Sequence, residues 1–314
     1  MDCYKIHFAP LQGYTDAVYR EAHAQVFGGV DAYYTPFVRL EKDGFRKKDL
    51  RDIAPEANPS VPLIPQLIAS SPEEFRRIAS LFSEQGYGRA DINMGCPFPM
   101  QARQHRGAGI LPYPDEVQAL LETVREFPEM QFSVKLRLGW ATAEEALGVL
   151  PYLNELPLTH LTIHPRIGTQ QYKGDADLDA FTRLYDECTL PLFYNGDLCS
   201  LADIESLTSR FPRLKGVMMG RGLLAAPWLA EEYVSGKPLS SVERKEKLQV
   251  FHALLLERYM SRLEGGDHQV LDKIKSLWDH LLPDADKRLR KKVLKSSRLG
   301  DYKEAVTNLI AALA

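Results

Sequence analysis

Cys96 ends the run ADINMG, residues 90–95, where Gly95 and Pro97 turn the chain. Ala90, Ile92 and Met94 alternate with Asp91 and Asn93, the period of a strand, and the turn that follows is expected to hold the thiol outward. An unperturbed thiol is largely protonated near neutral pH, so a cysteine placed there can donate a proton as well as attack. Cys3, Cys188 and Cys199 lack this setting and read as small buried hydrophobes. Lys135 stands inside the apolar run FSVKLRL, where a buried ammonium is costly without a partner. Either a neighbouring carboxylate such as Asp91 supplies that partner, or a bound group that gains electron density does. His164, near the end of HLTIHP, reads equally as a ligand-facing imidazole and as a satisfied core histidine. Asn195-Gly196-Asp197 and Gly220-Arg221-Gly222 combine glycines, exposed N–H groups and an arginine fork, which together suit a phosphate.

These residues need a scaffold that gathers separate strand ends at one place. The first 225 residues repeat one unit, a short apolar run, a turn and an amphipathic helix. The runs begin at Lys5 (KIHFAP), Ala32 (AYYTPF), Pro62 (PLIPQLI), Ala90 (ADINMG), Phe132 (FSVKLRL), His160 (HLTIHP), Leu190 (LPLFYNG) and Gly216 (GVMMGR). Each is nearly free of charge, as strands covered on both faces should be. Between them lie helix signals, such as Ser71 as N-cap with Pro72 at the first helical position and Phe75, Ile78, Ala79 and Phe82 on one face. Eight such units predict a (β/α)8 TIM barrel, in which chemistry sits at the carboxyl ends of the strands. An open doubly wound sheet is the alternative, but no GxGxxG follows the first strand. Beyond about Ser235 the period becomes helical throughout, predicting a catalytic barrel over residues 1–235 and a small helical domain over 236–314.

Composition narrows the class further. The chain of 314 residues is 45% hydrophobic and 26% charged, with no apolar run near the roughly 18 residues of a membrane span. The N-terminus, MDCYKIHFAP, shows no signal-peptide pattern, and four cysteines without CxxC spacing suggest reduced thiols, no zinc site and a cytoplasmic protein. The net charge of −3 conceals an asymmetry: residues 237–314 carry 16 Lys and Arg against 11 Asp and Glu, the rest 23 against 31. KRLRKKVLKSSR, residues 287–298, contains no acid, and reads either as a solvated face or as a surface for a polyanion.

In this order, APLQGYTDAVYR, PQLIASSPEEF, DINMGCP, GAGIL, VKLRLGW, HPRIGTQQYKGDAD, PLFYNGDL and GVMMGRGLLAAPWL resemble the tRNA-dihydrouridine synthase family of FMN enzymes, and the match covers the whole chain. The resemblance implies a monomeric enzyme that reduces uridines of tRNA with NADPH as electron donor. It implies that Pro10, Leu11 and Gln12 line the flavin ring, with Gln66, Lys135 and His164 also contacting the cofactor. Asn195, Gly196, Asp197, Gly220 and Arg221 would hold its phosphate. Asn93 and Tyr172 would hold the target uracil, with Arg137 and Arg166 as further candidates, and Cys96 would be the proton donor. The chemistry is consistent: hydride delivered to carbon 6 of uracil leaves an enolate, and a thiol on the opposite face can protonate carbon 5. The target base must leave its stack, and phosphate contacts by Lys291, Lys292 and Lys295 would help offset that cost.

The chain departs from the family pattern after Cys96-Pro97, where FPMQARQHRG has Pro99 in place of a frequent lysine, leaving Arg103 or Arg106 to supply the charge. Ile167 stands where threonine is usual, and APLQG replaces the more usual residues of that motif. Two other functions use parts of the same pattern. A flavin enzyme acting on free pyrimidines would have no use for the basic tail, and a non-catalytic tRNA chaperone would have none for Cys96, Lys135 and the phosphate loops together.

Overall fold

The computed structural model describes residues 4–42 and 44–313; Cys3 lies outside them. The strands are β1 (Lys5–Phe8), β2 (Ala32–Tyr34), a small hairpin of β3 (Leu40–Glu41) and β4 (Gly44–Phe45), then β5 (Leu63–Ile64) and β6 (Gln66–Leu67). They continue with β7 (Arg89–Met94), β8 (Gln131–Gly139), β9 (Leu158–Ile167), β10 (Leu192–Tyr194) and β11 (Gly216–Met219). Apart from the hairpin, all pair in parallel in the order β5-β2-β1-β11-β10-β9-β8-β7-β6. The two ends of that order are halves of one strand, the run PLIPQLI, interrupted at Pro65. Tyr33 and Tyr34 pair with Leu63 and Ile64, while Gln66 and Leu67 pair with Asp91 and Ile92. Pro65 has no N–H for a ladder, but its carbonyl accepts from the Asp91 N–H at 2.9 Å. The nine segments are therefore eight strands joined into a parallel barrel.

Among the described residues ten α-helices accompany the strands: α1 (Ala17–Val26), α2 (Lys47–Ile53), α3 (Pro72–Glu84), α4 (Pro99–Ala102) and α5 (Pro114–Glu122), followed by α6 (Glu144–Asn154), α7 (Leu178–Glu187), α8 (Leu201–Arg210), α9 (Arg221–Ala225) and α10 (Leu229–Ser235). Ser71 caps α3 by accepting from the Glu74 N–H, and Phe75, Ile78, Ala79 and Phe82 are buried. The Phe75 ring packs 5.4 Å from Phe132 on the outer face of β8. Ala90, Ile92 and Met94 likewise join the large apolar cluster, leaving Asp91 and Asn93 to the barrel interior. The alternation along each strand is thus what sends polar side chains inward.

Four more helices follow: α11 (Ser241–Arg262), α12 (Gly266–Ser276), α13 (Lys287–Lys295) and α14 (Leu299–Ala311). Ser240 and Glu243 form a capping box that starts α11. The Phe251 ring meets Tyr19 of α1 and Phe27, the residue that caps its C-terminus, edge-on, both at 5.4 Å. Tyr259 donates to Asp16 at 3.0 Å and the Lys273 ammonium to the Gly13 carbonyl at 2.6 Å, which ties the helices to the loop after β1. On α13, Arg288, Lys291, Lys292 and Lys295 are spaced to share one face, are all exposed, and border a cavity of about 520 Å³ against α14.

Trp278 is 1% exposed at the centre of these helices and donates to the Tyr302 hydroxyl at 2.9 Å. Trp278→Ala is expected to lower stability by about 3–5 kcal/mol, read by urea unfolding. A loss below about 1 kcal/mol would show that the helical layer is loosely packed there.

Candidate active site

Cys96 follows β7 at the carboxyl end of the barrel. The structure does not hold it outward: it is 6% exposed, because the segment 107–110 folds over the turn. Gly107 has φ +63°, and a Cβ added there would lie 2.7 Å from the Cβ of Cys96, so only glycine fits. The turn itself is held by Asn93, whose Oδ1 accepts from the N–H groups of Gly95 and Cys96 at 3.0 and 2.8 Å. Asn93 Nδ2 donates to Gln66 Oε1 at 2.7 Å, and Gln66 Nε2 donates to Asp91 Oδ2 at 2.7 Å. Asp91 is fully buried and also accepts from Ser133 Oγ at 2.5 Å. Burial pushes its carboxyl up to about 7, against the pull of Ser133, Gln66 and the Lys135 charge. Burial also pushes the Cys96 thiol up, opposed by the Phe98 backbone N–H and by Arg137, Lys135 and Arg39 nearby. The thiol is therefore protonated at neutral pH.

Lys135 is the register partner of Asn93 on one side and Thr162 on the other. It is 9% exposed, and among the described residues its ammonium has neither a hydrogen bond nor an ion pair; Asp91, the partner considered from sequence, is committed to Ser133 and Gln66. Burial lowers Lys135 to about 8, with Arg137 adding to the shift and Asp91 and Cys96 opposing it. Thr162 Oγ1 beside it is buried without a partner. His164 is 7% exposed, and its Nε2 faces Arg166 Nη1 at 3.2 Å. A guanidinium only donates, so Nε2 is the acceptor and the proton sits on Nδ1. Burial, then the charges of Lys135 and the three arginines, keep this imidazole neutral.

The arginines brace the rim. Arg137 donates to the carbonyls of Gly95, Ile167 and Gln171 at 3.0, 3.0 and 2.6 Å. Arg166 reaches both Asp197 oxygens, Nη1 donating to Oδ1 at 3.1 Å, and also donates to Gly174 O, and Arg221 shares Oδ1 at 2.5 Å. Burial raises Asp197, but the two guanidiniums outweigh it and hold the carboxyl below its usual range. Tyr172 is half exposed, with Arg137 and Arg221 each 5.2 Å from its ring centre. Asn195 Nδ2 donates to Met218 O at 2.7 Å, and Gly220 faces Leu11 and Ala9. Pro10 and Leu11 are half-buried at the rim, whereas Gln12 is exposed and lines a cleft of about 260 Å³ with Arg262 and Lys273.

The sequence reading missed two features. Deeper in the barrel, the Tyr34 hydroxyl lies 3.0 Å from His7 Nδ1 and 3.2 Å from His160 Nε2, with Phe193 stacked 4.2 Å from His7. Burial keeps both imidazoles neutral, His160 at about 3, so this layer is a polar but uncharged floor. The inward alternation of His7, Tyr34 and His160 is the signal that pointed to it. The other is Cys199, which is exposed at the start of α8 instead of buried. Among the described residues no cluster of His, Cys, Asp and Glu is arranged to hold a metal ion, and no helix is long and apolar enough to cross a membrane.

A parallel barrel with a buried thiol, an unpartnered lysine and converging arginines at its mouth describes an enzyme site. The chain belongs to the dihydrouridine synthase (Dus) family, whose sequence profile matches residues 7–308. It is 28% identical over 241 residues to a tRNA-dihydrouridine(16) synthase of Pseudomonas putida, covering 74% of each chain. It is 29% identical over 275 residues to a probable tRNA-dihydrouridine synthase 2 of Bacillus subtilis, covering 84% of this chain and 82% of that one. Among solved structures, the barrel is similar to the old yellow enzyme of Trypanosoma cruzi, with TM-score 0.54 and 11% identity over 75% of this chain and 89% of that one. Morphinone reductase matches at TM-score 0.54 and 12% identity, over 75% and 87%. At such identities these two likenesses define the fold.

Asp91 offers a pH test. Its folded pKa of about 7 lies above the ordinary 3.8, so its contribution to stability is present below about pH 4 and lost as pH rises through about 7. Relative to Asp91→Asn, wild-type stability is expected to fall across that window in urea titrations. A difference that stays flat would mean that Asp91 is ionised throughout and paired with Lys135.

Proposed function

We propose that this protein reduces uridine in tRNA to 5,6-dihydrouridine, with FMN in the barrel mouth and NADPH as electron donor. The observation that carries the reading is the pairing of a protonated thiol, Cys96, with a buried ammonium, Lys135, that has no partner of its own. An electron-rich ring edge satisfies that ammonium, and the His164 Nδ1–H and the orphaned Thr162 hydroxyl add polar groups for the same ligand. Arg166 and Arg221 already converge on one oxyanion, the Asp197 carboxylate, so the donor set suits a phosphate. The N–H groups at Gly196 and Gly220 complete that set; Asn195, whose own N–H and amide bond the Ile163 and Met218 carbonyls, holds the turn in place, while Asp197, itself an anion, aims the two guanidiniums. Pro10 and Leu11 offer apolar contact to the ring, with Gln12 at its outer edge. Gln66, held on both sides by Asp91 and Asn93, keeps one N–H free for a ring carbonyl.

Bound there, FMN reduced by NADPH supplies the hydride for carbon 6 of uracil. The chain's own residues do the rest. Asn93 and Tyr172 hold the base, with Arg137 and Arg166 bracing the loop that carries Tyr172. Cys96 gives its proton to carbon 5, and its raised pKa keeps that proton in place until it is needed. The names of the relatives support tRNA as substrate, and the basic face of α13, with Lys291, Lys292 and Lys295, supports a polyanion over a free pyrimidine. We divide the chain accordingly into a catalytic barrel, residues 1–235, and a tRNA-binding helical domain, residues 236–314, acting as a cytoplasmic monomer.

The purified protein is expected to be yellow or to become so with added FMN. Cys96→Ala should retain flavin and its reduction by NADPH while turnover of tRNA falls by about a hundredfold or more. Flavin lost in parallel with turnover would assign Cys96 a structural part, and full turnover would assign the proton to another group.

A further inference from the structure

Cys96 and Pro97 are buried, but the next three residues are not. Phe98 is 61% exposed and Met100 72%, and Pro99 between them is exposed as well. Among the large hydrophobic side chains of the described residues, none is more exposed than Met100, and only Val242 equals Phe98. Single exposed apolar residues are ordinary, but neighbouring ones beside a site mark a contact surface. The turn does not need these side chains. Phe98 serves Cys96 through its backbone N–H, and the residue that α4 buries is Gln101.

Charge beside them says what they meet. Arg103 lies one turn after Met100 on the same face, is exposed, and its guanidinium has no hydrogen bond or ion pair among the described residues, its backbone N–H alone bonding Pro99 O. Arg106, the other cation of this loop, is buried against Glu74 and unavailable. An aromatic ring, a pliable thioether and a free guanidinium at the rim of the site suit an unstacked nucleobase and its phosphate. A base that leaves its stack to reach Cys96 also uncovers its neighbour. We propose that Phe98 and Met100 form a stacking platform for the nucleotide beside the target uridine, with Arg103 on its phosphate. This rests on the tRNA reading above.

The test uses full-length protein and a tRNA transcript whose converted uridine has been mapped with the wild type. 2-Aminopurine is placed on either side of that uridine. Wild-type protein is expected to quench one of the two probes; Phe98→Ala should abolish the quenching and Phe98→Trp restore it. The Phe98→Ala/Met100→Ala double variant should lose about tenfold to a hundredfold in kcat/KM for tRNA. Flavin content and the rate of Cys96 alkylation should not move, since the backbone N–H remains. Arg103→Ala should lower the salt dependence of tRNA binding by about one phosphate contact. Unchanged kcat/KM in the double variant, or activity lost with quenching intact, overturns the platform. A wild-type dimer that Met100→Lys dissociates would show a second copy covering these side chains and overturn it too. Wild type that makes no dihydrouridine overturns the underlying reading and the platform with it.

Discussion

A buried carboxylate that can only accept hydrogen bonds when ionised sets the geometry of this barrel's mouth. Asp91 takes the Gln66 amide N–H, which leaves the Gln66 oxygen turned toward Asn93. Asn93 then has to present its own oxygen to the Gly95 and Cys96 N–H groups. Reversing any one amide would set donor against donor and acceptor against acceptor in a buried site, at a cost of roughly 1–3 kcal/mol for each group left unpaired. One side chain in mid-strand thus fixes the orientation of two amides and the turn that carries the thiol.

Above this network the mouth is strongly cationic: Lys135, Arg137, Arg166 and Arg221 all act on His164, and Arg166 and Arg221 share one carboxylate, Asp197. The barrel tolerates them because each guanidinium is tied down, Arg137 to backbone carbonyls and the other two to Asp197. Lys135 alone lacks a partner, and His164 is kept neutral by the same crowd of charge. The arrangement separates two tasks. On the reading proposed above, the fixed cations serve an anionic, electron-rich ligand, while the thiol and imidazole stay in their uncharged forms. The helices after Ser235 add their own basic face on α13.

Much of this was legible in the residues. Short runs nearly free of charge identified all eight strands, since strands covered on both faces leave little room for charge, and Ser71 marked the start of α3 through its own capping chemistry. Lys135 stood out because a mid-strand ammonium is costly without a partner, and Cys96 because Gly95 and Pro97 turn the chain around it. The Gln66–Asp91–Asn93 chain was not legible, because it exists only through the register of β6 on β7 across the break at Pro65. Arg103 and Arg106 looked interchangeable until Glu74, from the start of α3, claimed Arg106. The burial of Cys96 depended on Gly107, whose missing Cβ lets a distant segment close over the turn.

The account holds that a protonated thiol at the mouth of a flavin-loaded barrel completes the reduction of a uracil ring in tRNA. The most direct measurement supplies the purified protein with FMN, NADPH and an unmodified tRNA transcript, then digests the RNA and weighs its nucleosides. The account predicts a uridine that has gained two hydrogens, with one NADPH oxidised for each. NADPH oxidised at the same rate with and without tRNA, and every uridine unchanged, would contradict it.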